Sequence, residues 1–124
     1  MSKENISLGR VAEDKAVEFL KSNGYKIIER NYKNKLGEID IVAKDRDTVC
    51  FVEVKFRSSN RFGLAVEAVS GAKQRQISRA ALVFLKSRNL LDAKARFDVV
   101  ALEGAAGFDK INLIKSAFEW GGDF

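Results

Sequence analysis

Asp40 and Glu53 are the residues around which a reaction could be built. They lie in two runs rich in β-branched and aromatic residues, Gly37-Glu38-Ile39-Asp40-Ile41-Val42-Ala43 and Val49-Cys50-Phe51-Val52-Glu53-Val54-Lys55-Phe56-Arg57. Asp45-Arg46-Asp47-Thr48 between them is a turn sequence, so the spacing predicts an antiparallel hairpin. Side chains alternate along a strand, which puts Glu38, Asp40 and Val42 on one face, and likewise Glu53, Lys55 and Arg57. If the turn is even and centred between Arg46 and Asp47, opposed residue numbers sum to 93. Asp40 then faces Glu53, and Glu38 faces Lys55. Directly opposed residues hold their Cβ atoms about 4.5–5.5 Å apart. Two carboxylates at ~5 Å repel by roughly 3 kcal/mol at an effective dielectric near 20. A divalent cation between them reverses the sign of that interaction. A register slipped by one residue, or neutralisation by Lys55, would relieve it without a metal, and the hairpin alone leaves both readings open.

The rest of the composition narrows the chemistry. The chain has no histidine, which removes Ser–His–Asp and Cys–His hydrolysis, histidine-based zinc sites and imidazole general bases. Its single cysteine, Cys50, excludes an internal disulfide. Cys50 sits on the strand face opposite Glu53 and reads as a buried, inert core thiol rather than a nucleophile. Catalysis here has to come from carboxylates, lysine and a hard metal ion. A length of 124 residues predicts a single domain, 1–124, with an ordinary core. No run is long enough to span a membrane, and Met1-Ser2-Lys3-Glu4-Asn5 lacks a signal-peptide apolar core, so a cytoplasmic protein without membrane partners is expected.

Charge is unevenly distributed. Residues 55–96 carry ten Lys or Arg against Glu67 and Asp92, a net of +8, which leaves −3 for the remainder of a chain whose total is +5. That asymmetry favours a polyanionic partner over a mixed, merely solvated surface.

The elements that must position these residues follow from periodicity. Leu8, Ala12, Ala16, Phe19 and Leu20 recur at helical spacing and predict a helix from about Ser7, its N-cap, to Asn23, with Asn23-Gly24 as its stop. Glu13 falls at the edge of that apolar stripe, the one acid of the helix aimed near the sheet, while Asp14 and Glu18 point away. On its own Glu13 reads better as a flank glutamate paired with a nearby lysine. Tyr25 to Asn34 predicts a strand, and Lys35-Leu36-Gly37 turns it into the hairpin. Ser58-Ser59-Asn60-Arg61-Phe62-Gly63 is a polar loop whose arginine, with Arg57, could hold phosphates. A second helix is expected from Ser70 to Arg88, burying Ile77, Ala80, Ala81, Phe84 and Leu85 and leaving Arg75, Gln76, Arg79 and Lys86 elsewhere. Ala95 to Leu102 is a near-continuous apolar strand of the kind buried on both faces. Gly104 to Gly107 form a turn, Lys110 to Lys115 a short last strand, and Ala117-Phe118-Glu119-Trp120 an aromatic tail. The order is α-β-β-β-α-β-β, with strand 48–57, helix 70–88 and strand 95–102 forming a βαβ crossover in a mixed α/β sheet flanked by helices.

Asp40, followed thirteen positions later by Glu53-Val54-Lys55, resembles the D…ExK signature of the restriction-endonuclease-like superfamily, whose core has the same α-β-β-β-α-β order. The closer resemblance is to the YraN-like family of small bacterial proteins. It rests on Gly37 to Ala43, Phe51 to Arg57 and Arg96-Phe97-Asp98-Val99-Val100, and covers nearly the whole chain. Archaeal Holliday-junction resolvases are similar in layout, including a glutamate at the place of Glu13. The proline that often precedes the aspartate is here Ile39, in a chain without proline.

The resemblance implies Mg²⁺, for which Mn²⁺ can substitute, held by Asp40 and Glu53 with Glu13 as a direct or water-mediated ligand. That agrees with the preference of a small hard cation for oxygen ligands and retained waters. It implies that Lys55 orients a water or stabilises charge at the phosphorus. Gln76 resembles a supporting polar residue on the second helix, and Arg57, Arg61, Lys73 and Arg79 are candidate phosphate contacts. The expected function is a metal-dependent endonuclease acting on structured or branched DNA. The alternative is a non-catalytic nucleic-acid-binding adaptor that keeps the fold. RNA stays open as the nucleic acid, and a homodimer is compatible with either class.

Overall fold

A computed structural model of the chain describes residues 3–57, 69–104 and 109–121. The first helix, α1, spans Lys3–Ser22. It starts before Ser7, which is therefore not its cap: neither proline nor glycine interrupts Lys3 to Leu8, so nothing there stops the helix. Its end is as expected. Gly24 adopts φ 89°, Tyr25 N donates to Leu20 O at 3.0 Å and Gly24 N to Lys21 O at 3.0 Å, the paired bonds that close a helix through a left-handed glycine.

Strands β1 (Lys26–Asn34), β2 (Gly37–Asp45) and β3 (Thr48–Arg57) follow, then helix α2 (Gly71–Ser87), β4 (Lys94–Glu103) and β5 (Lys110–Phe118). The Ser70 hydroxyl accepts the Lys73 N–H at 3.1 Å and caps α2. The five strands form one sheet in the order β1-β2-β3-β4-β5. All neighbours are antiparallel except β3 and β4, whose parallel pairing is bridged by α2. This is the mixed α/β sheet and the α-β-β-β-α-β-β order expected, consistent with a restriction-endonuclease-like core. The last strand runs three residues further than predicted. Ala117 and Phe118 belong to it because Phe118 pairs with Phe97 and stacks on its ring, with centroids 5.0 Å apart.

The two helices cover opposite faces. On the α1 face, Ala12, Ala16 and Leu20 pack with Ile41, Ala43, Cys50, Val52, Val100 and Leu102. On the α2 face, Ile77, Ala80, Ala81, Phe84 and Leu85 pack with Val42, Val49, Phe51, Phe97 and Val99. Alternate residues of β3 and β4 thus enter different cores, which is why these strands read as continuous apolar runs. Cys50 is fully buried and its thiol is pushed up to about 12, chiefly by burial, as an inert core residue should be. Among the described residues no helix is long and apolar enough to cross a membrane. The loop at 58–63, with Arg61, and part of the turn at 104–107 lie outside the described residues.

Candidate active site

The hairpin register is the predicted one where the strands pair. Asp45↔Thr48, Lys44↔Val49, Ala43↔Cys50, Val42↔Phe51 and Ile41↔Val52 all sum to 93. The pairing ends at Ile41, and one step further lie Asp40 and Glu53. There the Asp40 carboxylate accepts the Val54 N–H at 2.8 Å, so a side chain takes a strand donor that a continuing ladder would have used. The alternation of β2 breaks at the same place. Ile39 and Val42 belong to the α2-side core while Ile41 belongs to the other.

This break corrects one expectation. Glu38 does not face Lys55. It is exposed and lies 3.6 Å from Lys33, its partner on β1. Lys55 instead lies 3.7 Å from Glu53 on its own strand, and Lys73 of α2 reaches the same Glu53 oxygen, Oε2, at 3.9 Å. Both ammonium groups stand beyond the ~2.7–2.9 Å of a charge-assisted hydrogen bond, so their support of Glu53 is mainly Coulombic.

Glu53 is the unusual group. It is 5% exposed, and its carboxyl is pushed up to about 8, first by burial and then by the Asp40 carboxylate beside it; Lys73 and Lys55 offset only part of this. A buried acid beside a second acid, with two lysines too distant to neutralise it fully, is an arrangement that a cation would relieve. Asp40 and Glu53 offer hard oxygen donors, and a Mg²⁺ ion that keeps several of its waters needs only one or two carboxylates. The residues therefore fit the implied metal.

Glu13 is placed differently. Its Oε1 accepts from Arg30 Nη2 at 2.9 Å, Arg30 Nε at 3.1 Å and Asn31 Nδ2 at 3.0 Å. Its expected partner was a lysine; the arginine fork of β1 takes it instead and also holds Asp14 at 2.6 Å. Asn31, with φ 53°, falls between the pairs Arg30↔Ile41 and Tyr32↔Ile39, and so beside Asp40 in register. Glu13 thus approaches the Asp40 strand from α1 but is anchored on β1. Among the described residues no group of three or more acids or cysteines gathers as a metal-binding cluster.

The other predicted contacts divide. Lys73, Gln76 and Arg79 line an open groove of about 520 Å³ with Leu36, Ala72 and Arg75. Gln76 lies against the start of β2: a Cβ on Gly37 would come within 2.5 Å of its Cγ. Gly37 is therefore required by a close approach of strand to helix. Arg57 closes β3, and Arg61 is outside the described residues.

The Arg96-Phe97-Asp98 word serves a different site, which the sequence reading did not assign. Asp98 is fully buried, yet fully bonded. It accepts from Tyr25 Oη at 2.9 Å, Arg96 Nε at 3.0 Å and Ser116 N at 2.9 Å, while Arg96 Nη2 also donates to Tyr25 Oη at 2.8 Å and Asp45 Oδ2 at 2.7 Å. The Arg96 hydrogen bond holds Asp45 below its ordinary value, while burial and the Asp98 charge raise Tyr25. Val52↔Asp98 and Glu53↔Val99 are adjacent pairs, so Asp98 and Glu53 are near neighbours that point to opposite faces of the sheet. Asp98 ties β4 to α1's exit and to β5, and Arg96 carries the network on to Asp45 of β2. One signal could have found it: an acid and an arginine two apart in an otherwise apolar strand.

Known proteins resemble this chain over most of its length. The model of "Uncharacterised protein family UPF0102" matches residues 12–102, a span holding Glu13, Asp40, Glu53, Lys55 and Asp98. A UPF0102 protein of Geobacter metallireducens is 49% identical over 96% of this chain and 98% of its own length. One from Syntrophus aciditrophicus is 45% identical, covering 94% of this chain and 91% of its own. One from Caldicellulosiruptor saccharolyticus is 47% identical over 90% and 96%. The matches run from α1 through β4 and take in every acid and lysine of the site, so the chain belongs to the UPF0102 family, the YraN-like family its sequence resembles.

Proposed function

We propose that this protein is a metal-dependent endonuclease that hydrolyses phosphodiester bonds in structured or branched DNA. The observation that carries the reading is the buried Glu53, set beside Asp40 with Lys55 at 3.7 Å. A structural hairpin gains nothing from two carboxylates held together with incomplete neutralisation, whereas a hard cation and a phosphate make use of all three groups. Asp40 and Glu53 would hold Mg²⁺ or Mn²⁺, which when bound polarises a phosphoryl oxygen and acidifies water. Asp40 is fixed for this by the Val54 N–H, and Glu53 by burial under α2. Lys55 would donate to the attacking water or to the phosphoryl oxygens on which charge develops. Glu13, anchored through Arg30 and Asn31, acts on the site at the distance of one strand, by orienting groups beside Asp40. Lys73, Arg75 and Arg79 supply a phosphate track leading away from Glu53, with affinity that depends on salt rather than sequence.

The adaptor alternative draws support from the two lysines that already face Glu53. Incubation of wild type and Asp40→Asn with linear, flapped and four-way DNA in Mg²⁺ or Mn²⁺ separates the two. Metal-dependent cutting that Asp40→Asn loses supports the nuclease. Binding without cutting in either ion by wild type assigns the adaptor role.

A further inference from the structure

Leu36 lines the basic groove, yet no part of the reaction uses it. It is 47% exposed at the two-residue turn Lys35-Leu36 between β1 and β2, a place where glycine and polar residues are favoured. The turn is also firmly held. Leu36 N donates to Asn34 Oδ1 at 2.8 Å, and Asn34 Nδ2 donates to Tyr32 Oη at 3.0 Å and to Ala80 O of α2 at 3.2 Å. Gly37 packs directly on Gln76. An apolar tip is thus fixed to α2, across a groove whose other walls carry Lys73, Arg75 and Arg79.

We propose that Leu36 is a wedge that inserts at an unstacked base step of the nucleic acid whose phosphates lie along Lys73, Arg75 and Arg79. The proposal rests on the nucleic-acid reading above and deepens it by naming the substrate feature. Lys73 to Arg79 rise about 9 Å along the helix, enough for two or three nucleotides at ~3.4 Å per strand. What lies beside a phosphate track is the base stack, and in intact duplex its faces are closed to a leucine. Apolar side chains of this kind enter where a step is opened or easily opened, and the energy of unstacking is least at a bulge, nick or branch. Asp40 lies four residues beyond Leu36, a contour of at most about 14 Å, or roughly four base steps. The opened step therefore lies within about four nucleotides of the bond to be cut.

The test is equilibrium binding in EDTA, where no cutting occurs, of two fluorescent DNA duplexes that differ only by a two-nucleotide bulge flanked by 2-aminopurine. Wild type is expected to prefer the bulged duplex and to brighten the 2-aminopurine. Leu36→Ala should lose about tenfold or more in affinity for the bulge, the value of one buried leucine, with little change on plain duplex and no brightening. Leu36→Trp should retain the preference. Lys73→Gln and Arg79→Gln should weaken both duplexes alike and flatten the salt dependence. Equal binding of both duplexes by wild type, or an unchanged preference in Leu36→Ala, overturns the wedge while leaving the nucleic-acid reading intact. Absence of binding to either duplex at low salt overturns both.

Discussion

Glu53→Gln is the perturbation that most directly tests whether the centre is prepared for a cation. In the metal-free fold the Glu53 carboxyl is pushed up to about 8, from an ordinary value near 4.5, by burial and by Asp40. Between those two values the folded protein holds a proton that the unfolded chain has released. Stability from this group is therefore fully present below about 4.5 and is lost as pH rises through about 8. At about 1.4 kcal/mol per unit of pKa difference, the loss amounts to several kcal/mol, a large share of the roughly 5–15 kcal/mol that holds a domain together. Glutamine keeps the shape and neutrality of the protonated acid and cannot titrate. Urea unfolding followed by Trp120, the only tryptophan, whose ring meets Phe97 edge-on at 4.8 Å, reads the effect. In EDTA between pH 6 and 8.5, wild type should lose stability steadily while Glu53→Gln stays nearly flat and becomes the more stable protein at the upper end. The window ends there because Cys50, also raised by burial, adds its own loss above about 9. Millimolar Mg²⁺ or Mn²⁺ should restore wild type most at the upper end, since the ion binds the deprotonated acid, and should do little for Glu53→Gln. Parallel pH profiles for the two proteins, with no metal effect in wild type, would refute the argument.

Other substitutions have equally definite outcomes. Asp40→Asn should abolish the metal-induced rise in melting temperature, measured by differential scanning fluorimetry. Lys55→Ala should fold and bind DNA nearly as wild type does but cleave about 10²–10³-fold more slowly in single-turnover assays. Glu38→Gln should leave both variants unchanged, because Glu38 pairs with Lys33 rather than with Lys55. Gly37→Ala should cost about 1–3 kcal/mol in urea melts through its collision with Gln76, and Gln76→Ala in the same chain should recover most of that loss. Asp98→Ala should destabilise the fold by about 1–3 kcal/mol, because the Tyr25 hydroxyl and Ser116 N–H lose their acceptor while Arg96 keeps Asp45, and the folded protein should keep its metal affinity.

The sequence by itself determined the elements and the pairing at the turn end of the hairpin. Helical spacing marked the buried residues of α2, Ile77 through Leu85, and its start near Ser70. The two-residue turn at Arg46-Asp47 set a register that held from Thr48 to Val52. These features are local: a 3.6-residue or two-residue period and a cap are written within a few positions of where they act. The tertiary structure alone decided what each charge touches. The register could not be extended to Glu38, because the Asp40 carboxylate competes for the Val54 N–H where the pairing ends. Glu13 on its own read as a partner for a nearby lysine, and by resemblance as a metal ligand, but the fork of Arg30 took it because β1 lies under α1. Lys73 reached Glu53 only because the crossover brings the start of α2 back against the sheet beside β2, within a lysine's length of β3. Asp98 met Tyr25 across 73 positions of chain. Ion pairs and buried hydrogen bonds are settled by competition among groups that folding brings together from distant positions, and no local period encodes that competition.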